Sequence, residues 1–188
     1  MKSVLISIQP KWCELIANGK KTVEVRKTKP KLETPFKVYI YCTQGDKSKA
    51  LLGGNPMRIV TCTDYRVAIP VGCYIGNGKV IGEFVCDKVV EFENSMYEPA
   101  FHETSVLSCV EYEKLALYLG KKDFGYGWHI SNLVIYDKPR ELSEFKKHNR
   151  TCYYDHLGLA TPKCKECKDC QITRPPQSWC YVESEGGK

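Results

Sequence analysis

The sequence has no run approaching the ~18 apolar residues that a membrane-spanning helix requires. Its N-terminus, MKSVLISIQPKW, offers only Val4, Leu5, Ile6 and Ile8 between Lys2 and Gln9, too few for the core of a secretory signal. Both shortages point to a cytoplasmic protein with no membrane partner. Strands and helices do not alternate in a βαβα repeat, which argues against a doubly wound sheet, and no internal repeat is visible. The eleven cysteines are an odd number, so they cannot all be paired. In a reducing compartment they read first as thiols or metal ligands. What remains is ordinary: 188 residues, 43% apolar, enough for one globular domain with a small appendage. A formal charge of +6 is compatible with an anionic partner, or with solubility alone.

Ser3–Ile8 reads as a first strand. Pro10 suits the first turn of a helix, and Asn18-Gly19 supplies its stop. A second strand, Lys21–Lys27, follows at once, and Phe36–Thr43 makes a third. Residues 44–68 are polar and read as a long loop. Asn77-Gly78 predicts a hairpin turn, and its second arm, Lys79–Phe92, is long enough to bend or bulge near Gly82. A helix is expected over Val110–Leu119, with Ser108 as N-cap and Gly120 as stop. Tyr126–Asp137 reads as one strand, Leu142–His148 as a short helix, and Ser178–Glu183 as the last strand. About seven strands with two or three short helices suggest an α+β fold, a small mixed barrel with helices at its ends.

The stretch GKKTVEVR, Gly19 to Arg26, packs four charges into the start of a strand. Alternation puts Thr22, Glu24 and Arg26 on one face, with Glu24 and Arg26 about 7 Å apart at Cα. It puts Lys21 on the other face, although a twist after Gly19 would let its amine reach over the strand end. Lysine and arginine offer anchors for a phosphate or a base carbonyl, and Glu24 can accept from an exocyclic amine or serve as general base. A plain surface ion pair on a strand face is the competing reading.

Gly19-x-Lys21-x-x-Glu24-x-Arg26, at a helix-to-strand junction, resembles the signature of the ASCH domain, a relative of the PUA fold. GKVIGEFVCD, YGWHISNLVIYDKPRELSEF and TRPPQSWCYVE also look like segments of phage and prophage ASCH proteins. The resemblance covers most of 1–145 and 172–183, and it leaves the loop at 44–68 and a Cys-rich insert at 146–171 unexplained. It implies a compact PUA-like barrel with a cleft lined by the motif, and an association with RNA and modified nucleosides. It assigns ligand binding to Gly19, Lys21, Glu24 and Arg26, with Lys27 beside them. One similar branch hydrolyses acetylated cytidine, which would make Lys21 and Glu24 catalytic. That branch's threonine nucleophile falls at Glu24 here, and Thr22 is the nearest hydroxyl. Other relatives resemble ribonucleases or simple binders, and a phage accessory protein that binds a host protein is a further alternative.

Between residues 20 and 37, seven basic residues (Lys20, Lys21, Arg26, Lys27, Lys29, Lys31, Lys37) outnumber two glutamates, with Trp12, Tyr39 and Tyr41 close in sequence. Basic groups interleaved with aromatics suit single-stranded RNA or a modified nucleotide. Trp12 is expected in the core and Lys27–Lys31 on a phosphate-contacting surface. Trp128 and Trp179, at strand ends, are expected as core or as cleft walls, and His129 as a hydrogen-bonded structural group. In the insert, Cys152, Cys164, Cys167 and Cys170, with His148 and His156 nearby, offer ligands for a structural zinc ion or remain thiols. Cys13, Cys42, Cys62, Cys73, Cys86, Cys109 and Cys180 are expected mostly as small core residues.

Overall fold

The computed structural model describes residues 2–44, 76–148 and 170–183. Eight strands and three α-helices are present among them: β1 (Lys2–Ile8), α1 (Pro10–Ala17), β2 (Val23–Arg26), β3 (Phe36–Cys42), β4 (Lys79–Cys86), β5 (Val89–Glu93), α2 (Pro99–Ser108), α3 (Tyr112–Leu119), β6 (Phe124–His129), β7 (Ser131–Arg140) and β8 (Trp179–Glu183). A single 3-10 turn, Leu142–Glu144, stands where a short helix was expected. None of the described helices is long and apolar enough to cross a membrane.

The strands form two sheets and do not close into the expected barrel. Five strands lie in the order β7-β4-β3-β1-β8, and three in the order β2-β6-β5. β1 is an interior strand, parallel to β3 and antiparallel to the edge strand β8. Its two faces feed two clusters, Val4, Ile6 and Ile8 in one and Leu5 in the other. A strand covered on both faces reads as a nearly continuous apolar run, which accounts for VLISI. A third cluster sets Val25 and Phe92 of the smaller sheet against Phe101, Leu115 and Leu119 of α2 and α3.

Two expected single strands are each two. Lys79–Phe92 breaks at Asp87-Lys88 into β4 and β5, which belong to different sheets. Tyr126–Asp137 likewise breaks at Ile130 into β6 and β7. His129 Nδ1 lies 2.6 Å from Asp87 Oδ1 at these corners, and the contact holds the Asp87 carboxyl below its usual range. Val110–Leu119 shortens to α3, and its N-cap is Glu111; Ser108 instead ends α2. The first arm of the expected hairpin lies largely outside the described residues. β4 pairs with β3, and the Gly78 N–H donates to the Cys42 carbonyl at 2.7 Å. Of the loop at 44–68, only Gln44 is described.

The bulge expected near Gly82 is present. Ile40 faces Gly82 while Tyr41 faces Val80, so Ile81 is an extra residue. A Cβ on Gly82 would stand 2.4 Å from the Val134 carbonyl oxygen of β7, a backbone atom that cannot swing aside. Gly82→Ala is therefore expected to cost about 1–3 kcal/mol through forced separation of β4 and β7. Urea unfolding measures this, and an unchanged midpoint would show that β7 yields freely.

Candidate functional site

The geometry of the site starts at the end of α1. Asn18 caps the helix, Gly19 adopts φ +69°, and the N–H groups of both Lys20 and Lys21 donate to the Leu15 carbonyl. The chain therefore wraps around the helix end before β2 begins at Val23. Lys21 is not yet on the strand, so strand alternation does not govern it. Its Nζ lies 3.2 Å from Glu24 Oε2. It also donates to the Ser108 carbonyl at 2.9 Å, at the C-terminal end of α2 where a cation is favoured.

Glu24 and Arg26 share the face predicted for them. Arg26 Nη2 lies 2.8 Å from Glu24 Oε1 and donates across to the Ser7 carbonyl on β1 at 2.7 Å. Its Nη1 donates to Ser178 Oγ at 3.4 Å. One guanidinium thus bridges the two sheets. Lys21, Glu24 and Arg26 are only 3%, 6% and 7% exposed, so the competing reading as a solvated surface pair does not hold. A carboxylate held between two cations leaves one formal positive charge in a buried place.

These three side chains lie at a cleft of about 650 Å³. Trp12 and Ile8 line it beside β1, Tyr118, Leu115 and Lys114 from α3, and Pro175–Ser178 from the segment before β8. The last wall is fastened to β1: Ser7 Oγ donates to the Pro176 carbonyl at 2.7 Å, and the Ser7 N–H to the Ser178 carbonyl at 2.9 Å. Lys21 Nζ stands 5.3 Å from the Trp12 ring centre. Burial raises the Tyr118 phenol above its usual range, and the neighbouring Arg26 charge opposes that rise. Burial, with Cys42 beside it, pushes the Cys13 thiol well up.

Other expected residues fall elsewhere. Gly19 shapes the turn and does not line the cleft. Lys27 is exposed outside it, with its ammonium 5.1 Å from the Tyr118 ring centre. Trp12, expected in the core, is only partly buried and forms a wall. Tyr39, Tyr41 and Trp128 are core residues, and Trp179 packs half-buried against Trp128. Thr22 is not among the lining residues. In the expected basic surface, Lys29 is paired with Glu91 at 3.3 Å. Cys13, Cys42 and Cys86 are buried as expected, whereas Cys109 is exposed, and Cys62 and Cys73 lie outside the described residues. Cys152, Cys164 and Cys167 also lie outside them, and Cys170 is buried. Among the described residues, no group of three or more His, Cys, Asp or Glu is placed to hold a metal ion. Ser7, Lys114, Tyr118 and Ser178 were not anticipated, since each joins the site only through tertiary packing. The paired prolines at 175–176 were the one local hint of a rigid wall.

A profile of the ASCH domain matches residues 6–139. Among solved structures, ASCH from Zymomonas mobilis is similar at 16% identity and a TM-score of 0.56, over 96% of this chain and 87% of that one. A mutant form of the same protein matches at 15% identity and 0.56, over 97% of this chain and 91% of that one. At these identities the likeness concerns the fold alone. No curated protein matches the sequence.

Proposed function

The chain belongs to the ASCH domain family, and from that premise we propose that it binds single-stranded RNA by taking one base or modified nucleotide into the cleft beside Lys21, Glu24 and Arg26. The observation that carries this reading is the buried cation–carboxylate–cation cluster opening on a concavity walled by Trp12 and Tyr118. The cleft has the size of a small-molecule site. Aromatic walls suit a base face, and stacking contributes roughly 1–3 kcal/mol per base. Hydrogen-bonding capacity remains in the cluster. The Lys21 ammonium has three donors and uses two, and each Glu24 oxygen keeps a second lone pair. An edge with a carbonyl next to an exocyclic amine, as on cytosine, matches that set.

Hydrolysis of an acylated base needs a nucleophile activated by a neighbouring base. Of the four hydroxyls lining the cleft, Ser7 already donates to Pro176, Ser178 accepts from Arg26, and among the described residues neither Thr43 nor Tyr118 is hydrogen-bonded to the Glu24 carboxylate that would have to serve as base. This favours binding over turnover. Arg26→Lys keeps the charge beside Glu24 while removing the planar fork. It is expected to weaken binding of labelled single-stranded RNA roughly ten-fold or more, the weight of a charge-assisted hydrogen bond, and to lower the melting temperature as well, because one ammonium cannot keep the guanidinium's contacts with Ser7, Glu24 and Ser178 together. Anisotropy titration reads the effect. RNA affinity unchanged in Arg26→Lys and in Lys21→Met, with both variants folded, would end this reading. Release of acetate from N4-acetylcytidine above a Glu24→Gln control would replace it with hydrolysis.

A further inference from the structure

We infer that the base enters the cleft as an internal nucleotide of a strand, and that Lys11 and Lys27 hold the backbone phosphates on either side of it. The inference rests on the reading of the cleft as a base pocket and adds two subsites outside it. Each of these lysines is exposed, and each ammonium stands over a ring that lines the cleft. Lys11 Nζ is 4.7 Å from the Trp12 ring centre, and Lys27 Nζ is 5.1 Å from that of Tyr118. Neither has a carboxylate within ion-pair distance among the described residues. Lys114, which lines the cleft itself, is paired with Glu111 at 2.7 Å, and Lys29 with Glu91 at 3.3 Å.

An exposed cation over an aromatic face gains only modestly from the ring, and a phosphate competes well for it. A free nucleoside would leave both ammoniums without an anion, whereas a base with a phosphate on each side supplies one to each. Lysine suits this task because it meets phosphate as a flexible point charge. Lys11 belongs to α1 and Lys27 directly follows β2, so the two positions come from different elements and can serve different nucleotides.

The test compares trinucleotides UpXpU, which carry two phosphates, with the matching nucleosides X, where X carries adenine, cytosine, guanine, uracil or N4-acetylcytosine. Calorimetry over a series of salt concentrations gives both affinity and salt slope. For the preferred X, the trinucleotide is expected to bind at least ten-fold tighter than the nucleoside. Its log–log salt slope should be about −1.4, at roughly −0.7 per phosphate. Lys11→Ala and Lys27→Ala, both at exposed positions, should each bring the slope to about −0.7 and lower the trinucleotide-to-nucleoside affinity ratio several-fold. Nucleoside binding with no gain from the trinucleotide would overturn this inference and leave the base pocket standing. So would a slope that both variants leave unchanged. If no nucleoside and no trinucleotide binds, the base pocket falls and the flanking subsites with it.

Discussion

Glu24→Ala is expected to lower the unfolding free energy by about 3–5 kcal/mol, the usual cost of leaving a buried charge without its partner. Here two charges are stranded. Lys21 and Arg26 would keep only neutral carbonyl and hydroxyl partners, Ser108 for one and Ser7 and Ser178 for the other. At 3% and 7% exposure, neither can recover full hydration without opening the structure. Urea unfolding near neutral pH reads the effect, and a loss under about 1 kcal/mol would mean that water already reaches the cluster. The triple replacement Lys21→Met, Glu24→Leu, Arg26→Met separates structure from function. Apolar substitutes for a buried ionic cluster are often neutral or stabilising. The triple variant should therefore be folded, more stable than Glu24→Ala, and unable to bind RNA. A triple variant that bound like the parent would show that the cluster serves only the fold.

Trp128→Ala is expected to cost about 3–5 kcal/mol, as large aromatic deletions from a core do. The reason lies in its position. Trp128 belongs to the smaller sheet, yet its side chain packs among residues of β1, β3 and β4, with Phe36 edge-on at 5.8 Å and Trp179 at 6.0 Å. It is fully buried and keys one sheet into the other. The cleft depends on that docking, because Ser7 stands on one sheet and Arg26 on the other. RNA affinity should fall together with stability. Trp128→Phe should lose far less. It keeps an aromatic body and removes an indole N–H that has no acceptor among the described residues. Equal losses in both variants would place the cost in the indole edge instead of the volume.

Local chemistry made the first quarter of the chain readable. Pro10 and Asn18-Gly19 bracket α1, and period-two alternation placed Glu24 and Arg26 on one face. The same alternation misplaced Lys21, because the turn around the Leu15 carbonyl delays the strand by two residues. The sheet-changing corners at Asp87-Lys88 and Ile130 were invisible, since apolar arms on both sides look alike whichever sheet they join. α2 went unread although Glu98-Pro99 announces it. The proline occupies the first turn, and the Glu98 side chain accepts from the Phe101 N–H at 2.8 Å. The wall at Pro175–Ser178 offered only its paired prolines as a cue, and its contacts with Ser7 and Arg26 span more than 150 residues.

The antiparallel pairing of β8 with β1 bears on where this polypeptide can be cut. A fragment ending at residue 139, where the family match stops, would lack β8 and the fourth side of the cavity. The bare backbone of Val4, Leu5 and Ile6 would then become an open margin, able to recruit a strand from another molecule. Such a fragment would be prone to clumping and would lack a wall of the proposed base pocket for the same reason, and a recombinant version needs to run through Glu183.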